Sequence, residues 1–179
     1  METGRQEALV FSPSIITGMD KLPSTITQKP ILVCLDSFYP KTADFKSEKD
    51  LQSYICKHIK SFCKDVLGDE YISHKKESPI HEQIRNSPRG RRVDILIKCE
   101  GGAYIIELKN PKQPAENRYG IGQLLDYGRE IPQGNLVLVT TFFDINTALT
   151  IQHHSLPIRY IYFDKTRIME YKGNKDEKR

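Results

Sequence analysis

The chain has 179 residues, a length that suits one domain around a single hydrophobic core, and a mild net charge of +4 that permits a polyanionic partner without demanding one. No apolar run is long enough to cross a bilayer, and we expect neither a membrane partner nor a secretory signal. The four cysteines form no paired motif and predict buried, reduced thiols, which favours an intracellular protein, cytoplasmic or nuclear.

The first clear element along the chain is a helix. Residues 1–44 contain scattered prolines and predict an N-terminal extension or arm, within which residues 31–35 could form a strand. Ser47 can cap a helix, and Gly68 is expected to end it. Between them, apolar residues follow at three- and four-residue spacing. They are Leu51, Ile55, Ile59, Phe62 and Val66.

Strand and helix patterns then alternate. Strands are predicted at 71–75 and 135–143, a hairpin at 93–110, helices at 118–130 and 145–153, and a terminal hairpin at 158–171. This order predicts an α/β fold with a mixed central sheet flanked by helices and an extra C-terminal hairpin. We place the domain at 45–172 and expect a charged tail at 173–179.

Charged residues interrupt the hairpin VDILIKCEGGAYIIELKN at 93–110. Side chains alternate along a strand, so Glu107 and Lys109 share one face. A two-residue turn at 101–102 would set Asp94 directly opposite Lys109. We therefore expect these three charges to lie together on one face.

Two interpretations of these charges are open. A cross-strand ion pair between Asp94 and Lys109 would be structural. Alternatively, Asp94 and Glu107 supply the hard oxygen ligands that Mg²⁺ prefers, with Lys109 beside them for a phosphate or a water. Glu170 and Lys172 repeat the spacing near the C-terminus, and we interpret that copy as chance.

Polar residues elsewhere could join the hairpin charges. Glu48, in the first turn of the first helix, is either a partner of the helix dipole or a third carboxylate aimed at the sheet. Gln123 and Tyr127 stand at i and i+4 on one face of the second helix. The basic loop before the hairpin carries Arg91 and Arg92, which suit phosphate contacts or a solvated turn.

The ordered set resembles the PD-(D/E)XK nuclease superfamily over about residues 45–141. The string IIELKNP, followed by GQLLDYGREIP, is similar to the nuclease domain of type I restriction enzyme motor subunits. The Q-x-x-x-Y element resembles RecB-type nucleases, and the placement of Glu48 resembles archaeal mismatch and junction endonucleases. Val93 stands before Asp94 where the superfamily commonly has proline.

The resemblance implies a restriction-endonuclease-like αβββαβ core and a metal-dependent deoxyribonuclease. It implies that Asp94, Glu107 and the Leu108 carbonyl bind Mg²⁺ or Mn²⁺, and that Glu48 completes or supports this set. Lys109 would orient the attacking water and steady the charge on the phosphate. No iron–sulfur cluster is predicted.

The resemblance also implies a nucleic-acid partner. Gln123 and Tyr127 would support the catalytic lysine or touch the nucleic-acid backbone. DNA is the expected substrate of an endonuclease, while an RNA endonuclease and a non-catalytic nucleic-acid-binding or assembly module of the same fold stay open. The N-terminal arm could mediate a homodimer. His58 and His153 lie in no zinc-binding pattern, and His74 is an alternative to Glu48 as a metal ligand.

Overall fold

The computed structural model describes most of the chain from residue 44 onward and two short segments before it. The described ranges are 9–10, 31–34, 44–79, 92–113, 115–163 and 168–172. Their helices are α1 (Glu48–Lys57), α2 (Ile59–Ser61), a π-helical segment (Phe62–Leu67), α3 (Glu116–Glu130) and α4 (Ile145–His153). Their strands are β1 (Leu9–Val10), β2 (Ile31–Cys34), β3 (Tyr71–Pro79), β4 (Arg92–Cys99), β5 (Gly102–Lys109), β6 (Asn135–Thr140), β7 (Ile158–Phe163) and β8 (Ile168–Lys172).

The described strands form one eight-stranded sheet in the order β1-β2-β8-β7-β6-β5-β4-β3. β6 pairs with β5 and β7 in parallel, and the other neighbours are antiparallel. The succession α1, β3, β4, β5, α3, β6 has the order αβββαβ, and β7 with β8 forms the extra hairpin. The predicted fold class is therefore confirmed. The strand predicted at 31–35 is also confirmed as β2, which pairs with β8, while the domain limits stay predictions.

The first predicted helix forms in three pieces. Ser47 caps it as predicted, because its hydroxyl accepts a hydrogen bond from Asp50 N at 3.2 Å. All five residues of the predicted apolar stripe are buried, since their spacing keeps them on one face. The helix breaks at His58 and continues through α2 and the π-helical segment. Gly68 ends it with φ of 76°, a left-handed conformation that glycine adopts without steric cost.

The sheet separates two hydrophobic clusters. α1 and the π-helical segment cover one face, where Phe62 packs in the same cluster as Ile106. α3 and α4 cover the other face, where Leu124 packs in the same cluster as Leu138. Full burial of such a side chain stabilises the fold by roughly 1.5–3 kcal/mol. The central strands therefore lie between two apolar layers, and a charge on them is costly to bury.

The register of the β4–β5 hairpin differs from the predicted one. Cys99 pairs with Gly102, so the turn residues are Glu100 and Gly101 rather than the two glycines. The cause lies outside the hairpin: the Gly101 N–H donates to both carboxylate oxygens of Asp69, at 3.1 Å each. A side chain from a preceding loop thus fixes the turn, and no pattern within the hairpin reveals it.

The shifted register changes which charges stand opposite each other. Ile95 pairs with Ile106, and the next pair in this register places Asp94 level with Glu107. The expectation that Asp94 lies directly opposite Lys109 was therefore wrong. A shift of two residues leaves every side chain on its original face, so the three charges still share one side of the hairpin.

Other limits of elements also differ from their predictions. β3 extends to Pro79, four residues past its predicted end, and β6 ends at Thr140. Cys63 and Cys99 are buried and free as predicted, whereas Cys56 is half-buried. Within the described ranges, no helix is both long enough and apolar enough to span a bilayer. Arg91, the tail at 173–179 and residues 1–43 of the arm apart from β1 and β2 lie outside the described residues.

Candidate active site

Two carboxylates from neighbouring strands form the centre of the site. Asp94 on β4 accepts a hydrogen bond at Oδ2 from the Leu108 N–H at 2.7 Å. Glu107 precedes Leu108 on β5, and its side chain is only 1% exposed. The backbone of β5 therefore fixes one acidic group while the same strand carries the other.

Lys109 is the cation of this group. Its Nζ lies 2.5 Å from Glu107 Oε1, and its side chain is 12% exposed. The ion pair of Lys109 thus runs along β5 to Glu107, and the cross-strand pair with Asp94, one of the two open interpretations, is not the pair that forms. The second oxygen, Glu107 Oε2, is buried without a hydrogen-bond partner. Such a buried acceptor costs about 1–3 kcal/mol, and a cation bound to this oxygen would offset that cost.

Burial raises the pKa values of both acids. Burial raises the pKa of Asp94 to about 6, although the Leu108 N–H and the Lys109 charge oppose the shift. Burial raises the pKa of Glu107 to about 7, and the negative charge of Asp94 adds to the effect. Glu48 and Glu77 raise the pKa of Asp94 further by like-charge repulsion. Strongly perturbed acids that lie together are typical of functional sites.

Glu48 reaches the end of β5 through Asn110. The Asn110 N–H donates to Glu48 Oε1 at 3.4 Å, a long hydrogen bond, and its side-chain amide donates to the Phe45 carbonyl at 2.9 Å. The hydroxyl of Thr141, which follows β6, donates to Asn110 Oδ1 at 2.5 Å. Asn110 therefore joins the start of α1 to the ends of β5 and β6, directly after Lys109.

Gln52 and Glu77 were not predicted as members of the site. The Gln52 amide nitrogen donates to the Asp94 carbonyl at 2.9 Å and to Glu77 Oε1 at 3.0 Å. Glu77 lies beyond the predicted end of β3, in the sequence KKESP, which does not alternate between polar and apolar residues. Gln52 stands four residues after Glu48, and that helical spacing is the one sequence signal that could have found it.

The second predicted helix contributes differently from expectation. The Gln123 side chain is exposed. Tyr127 is buried, and its hydroxyl donates to the Arg92 carbonyl at 2.9 Å, so it supports the start of β4. Gly120 makes the close approach to Lys109 instead: a Cβ at this position would lie 3.4 Å from Lys109 Cγ. Arg92 is exposed two residues before Asp94.

The second Glu-x-Lys copy has a different environment. Glu170 hydrogen-bonds with Arg159 Nε at 2.9 Å and lies 2.7 Å from Lys172 Nζ. Burial alone would raise the pKa of Glu170, but the hydrogen bonds from Arg159 and Lys172 outweigh it and hold that pKa below its usual range. Arg159 also donates to the carbonyls of Val66 and Leu67 at the end of the π-helical segment. This copy is a satisfied structural network.

Metal-binding side chains are sparse at the site. Among the described residues, no three His, Cys, Asp or Glu side chains are grouped so as to hold a metal ion. Mg²⁺ commonly uses one or two carboxylates and keeps several waters, and Asp94 with Glu107 fits that requirement. The unpartnered Glu107 Oε2 fits it as well. The alternative ligand His74 hydrogen-bonds with the Tyr71 hydroxyl at 2.9 Å and pairs with Ile97, about 10 Å along the strand from Asp94.

Fold and site together define an αβββαβ protein with an acidic group and one lysine on its central strands. The sequence matches no protein-family model and no curated protein. Among solved structures, the chain is similar to the small subunit of the heterodimeric restriction endonuclease R.BspD6I, with a TM-score of 0.40 and 16% identity over 65% of this chain and 61% of that one. It is also similar to SfsA of Pyrococcus furiosus, solved in complex with Ca²⁺, with a TM-score of 0.34 and 17% identity over 70% of this chain and 62% of that one. In both cases the chain spans less than two thirds of the neighbour's length, so the function must be read from this chain's own side chains.

Proposed function

We propose that the chain is an Mg²⁺- or Mn²⁺-dependent phosphodiesterase that hydrolyses DNA as an endonuclease of the PD-(D/E)XK type. The observation that carries the proposal is the Glu107 carboxylate, which is buried, has one oxygen without a partner, and neighbours both Asp94 and Lys109. Even with Lys109 on its other oxygen, a buried carboxylate oxygen without a partner is retained at a cost of about 1–3 kcal/mol. A divalent cation at this position would offset that cost.

Each residue of the group has a proposed role. Asp94 and Glu107, with the Leu108 carbonyl, hold the cation, and Glu48 supports them from α1. When bound, the cation supplies Lewis-acid chemistry, lowering the pKa of a water and neutralising charge on the phosphate. Lys109, held against Glu107, donates to a phosphate oxygen or to the attacking water. The close contact of Gly120 with the lysine stem limits where its ammonium can lie.

The proposed nucleic-acid contacts lie around this group. Arg92 is exposed and directly precedes the acidic part of β4, so its guanidinium can meet a phosphate. Arg91 is proposed for the same role, and Gln123 is proposed to touch the backbone from the exposed face of α3. A homodimer would bring two such groups to the two strands of a duplex, and light scattering on the full chain would measure it.

The test is cleavage of labelled single-stranded, duplex, flap and four-way-junction substrates, each as DNA and as RNA, with Mg²⁺ and with Mn²⁺. We expect DNA to be cut internally by the wild type, and Asp94→Ala and Lys109→Ala to lose at least about a hundredfold in rate. Selective cutting of RNA would assign the RNA endonuclease instead. Nucleic-acid binding without metal-dependent cutting in any arm would assign the non-catalytic module. Equal cutting by the wild type and the variants would reveal a contaminant and overturn the proposal.

A further inference from the structure

Two exposed aromatic side chains lie at the end of the sheet that carries Lys109. Tyr119 in α3 is 73% exposed, and Phe142, which follows β6, is 50% exposed. Lys109 ends β5 and pairs with Thr140, which ends β6, so Phe142 comes just after the strand position beside the lysine. Among the described residues, the third large apolar side chain with such exposure is Ile72, near the β4–β5 turn. Single exposed apolar residues are normal, whereas two at one end of a sheet indicate a contact surface.

The start of α3 holds both aromatic positions next to the lysine. Gly120, which follows Tyr119, packs on the lysine stem, since a Cβ there would lie 3.4 Å from Lys109 Cγ and 3.5 Å from its Cε. Asn117 is fully buried, and its side-chain amide donates to the Phe142 carbonyl at 2.9 Å. The backbone at both aromatic residues is therefore fixed by packing, while the rings themselves remain exposed.

Exposed cations lie on the segments that border the two rings. They are Arg92 at the start of β4, Lys112 between β5 and α3, and Arg118 in the first turn of α3. Glu116, an acid of the same turn, is half-buried and accepts a hydrogen bond from the Lys112 N–H at 3.1 Å. Positive charge beside exposed aromatic rings suits a single-stranded nucleic acid, because the cations attract its phosphates and its bases stack on the rings.

The pairing state of the bases decides which nucleic acid fits these rings. In a continuous duplex each base is stacked between its neighbours, and only its edges are open in the grooves. A side chain that stacks inside a duplex must first separate neighbouring bases, which costs free energy that an unpaired base does not require. The rings therefore fit a single-stranded segment better than a continuous duplex.

We propose that Tyr119 stacks on an unpaired base of the DNA whose phosphate lies at Lys109, and that Phe142 contacts a neighbouring base. This proposal rests on the proposed function and deepens it, because it names the substrate class: DNA with a single-stranded segment at the point of cleavage. Tyr119 carries the larger share, since its ring is the more exposed and its neighbour Gly120 packs on the lysine stem.

The test is the affinity of the full chain for labelled DNA, measured by fluorescence anisotropy with a chelator present so that no strand is cut. The probes are a single strand and a blunt duplex of the same length. We expect Tyr119→Ala to raise the Kd for the single strand about tenfold, because one stacked base is lost. Tyr119→Phe keeps the ring and should stay within about twofold of the wild type, whereas Tyr119→Leu, apolar but not aromatic, should bind about as weakly as the alanine variant.

Further variants locate the effect on the surface. Phe142→Ala should raise the Kd for the single strand about threefold. The matched control is Ile72→Ala, which removes a side chain as exposed as Phe142 at the other end of the sheet and should leave that Kd unchanged. The Kd for the blunt duplex should change less than about twofold in every variant, because its bases are not free to stack on a side chain. Circular dichroism checks the fold of each variant, and the pair Tyr119→Phe and Tyr119→Leu separates the ring from mere apolar bulk.

The outcomes separate this proposal from the proposed function. If the wild type cuts DNA but Tyr119→Ala binds the single strand within about twofold of it, the assignment of Tyr119 is overturned and the proposed function stands. If Tyr119→Ala weakens single-strand binding selectively but no metal-dependent cutting is found, the contact surface stands and the proposed function fails. Equal weakening of single-strand and duplex binding, or equal weakening by Ile72→Ala, would overturn the stacking. A wild type that binds neither probe would overturn it together with DNA as the partner.

Discussion

Replacing Asp94 by asparagine should stabilise the protein at neutral and basic pH. Burial raises the pKa of Asp94 from 3.8 to about 6, so the folded state holds its proton more tightly than the unfolded state does. The folded protein therefore loses stability as the pH rises from about 4 through about 6, when this carboxyl ionises. An asparagine cannot ionise, and its side-chain oxygen can still accept from the Leu108 N–H.

The size of the gain follows from the size of the shift. Each unit of pKa difference corresponds to about 1.4 kcal/mol of stability, and solvent screening of a half-buried group reduces the total. We therefore expect Asp94→Asn to raise the free energy of unfolding by about 2 kcal/mol at about pH 8. For a domain of this length that corresponds to a rise in Tm of about 4–8 °C. At about pH 4 the difference should almost vanish, because the wild-type carboxyl is then protonated in the folded state.

The assay is urea unfolding followed by circular dichroism, with a chelator present, at about pH 4 and about pH 8. Glu100→Gln is the control, since this exposed acid should give no pH-dependent gain. An Asp94→Asn variant less stable than the wild type at the higher pH would refute the reasoning. So would an equal gain at both pH values, because it would show that charge burial is not the cause.

Further predictions concern the cation, the supporting tyrosine and the second Glu-x-Lys copy. Mn²⁺ should raise the Tm of the wild type at about pH 8 and leave the Tm of Glu107→Gln unchanged. The uptake of Mn²⁺ by the wild type should weaken as the pH falls through about 7, because protons then compete for the Glu107 carboxylate. Tyr127→Phe should lower the free energy of unfolding by about 1 kcal/mol, because it removes the hydrogen bond to the Arg92 carbonyl, and should leave the Kd for Mn²⁺ unaltered. A large change in that Kd would instead place Tyr127 in the cation site. Arg159→Ala should lower the free energy of unfolding by about 3 kcal/mol, since it leaves Glu170 buried and short of a partner. A decrease of less than about 1 kcal/mol in urea unfolding would contradict that role of Arg159.

Local features of this fold were predictable because nearby residues determine them. The helix start at Ser47 depends on a hydrogen bond from the Asp50 N–H to the Ser47 hydroxyl, only three residues apart, so the residue type and its position predict it. The buried stripe of the first helix follows from its spacing alone. The shared face of Glu107 and Lys109 follows from strand alternation, which no register shift of two residues can change.

Features that depend on distant partners were not predictable in the same way. The hairpin turn is set by Asp69, 32 residues before Gly101, so turn chemistry within the hairpin pointed to the two glycines instead of Glu100 and Gly101. Glu77 meets Gln52 only because β3 runs past its predicted end and because Gln52 reaches across from α1. Such contacts arise from the packing of helix on sheet and leave no periodic signal in the chain.

Under the proposed function, the acids of β4 and β5, and not any buried Glu-x-Lys pair, carry metal-dependent cleavage of DNA. The most direct measurement compares the single-turnover rate of DNA cleavage by Glu107→Gln with that of Glu170→Gln, at a temperature where both are folded. Both variants neutralise a buried glutamate two residues before a lysine on a strand. We predict that Glu107→Gln cuts at least about a hundredfold more slowly than the wild type, while Glu170→Gln keeps the wild-type rate and its dependence on Mg²⁺ or Mn²⁺. Equal rates for the two variants would contradict the account.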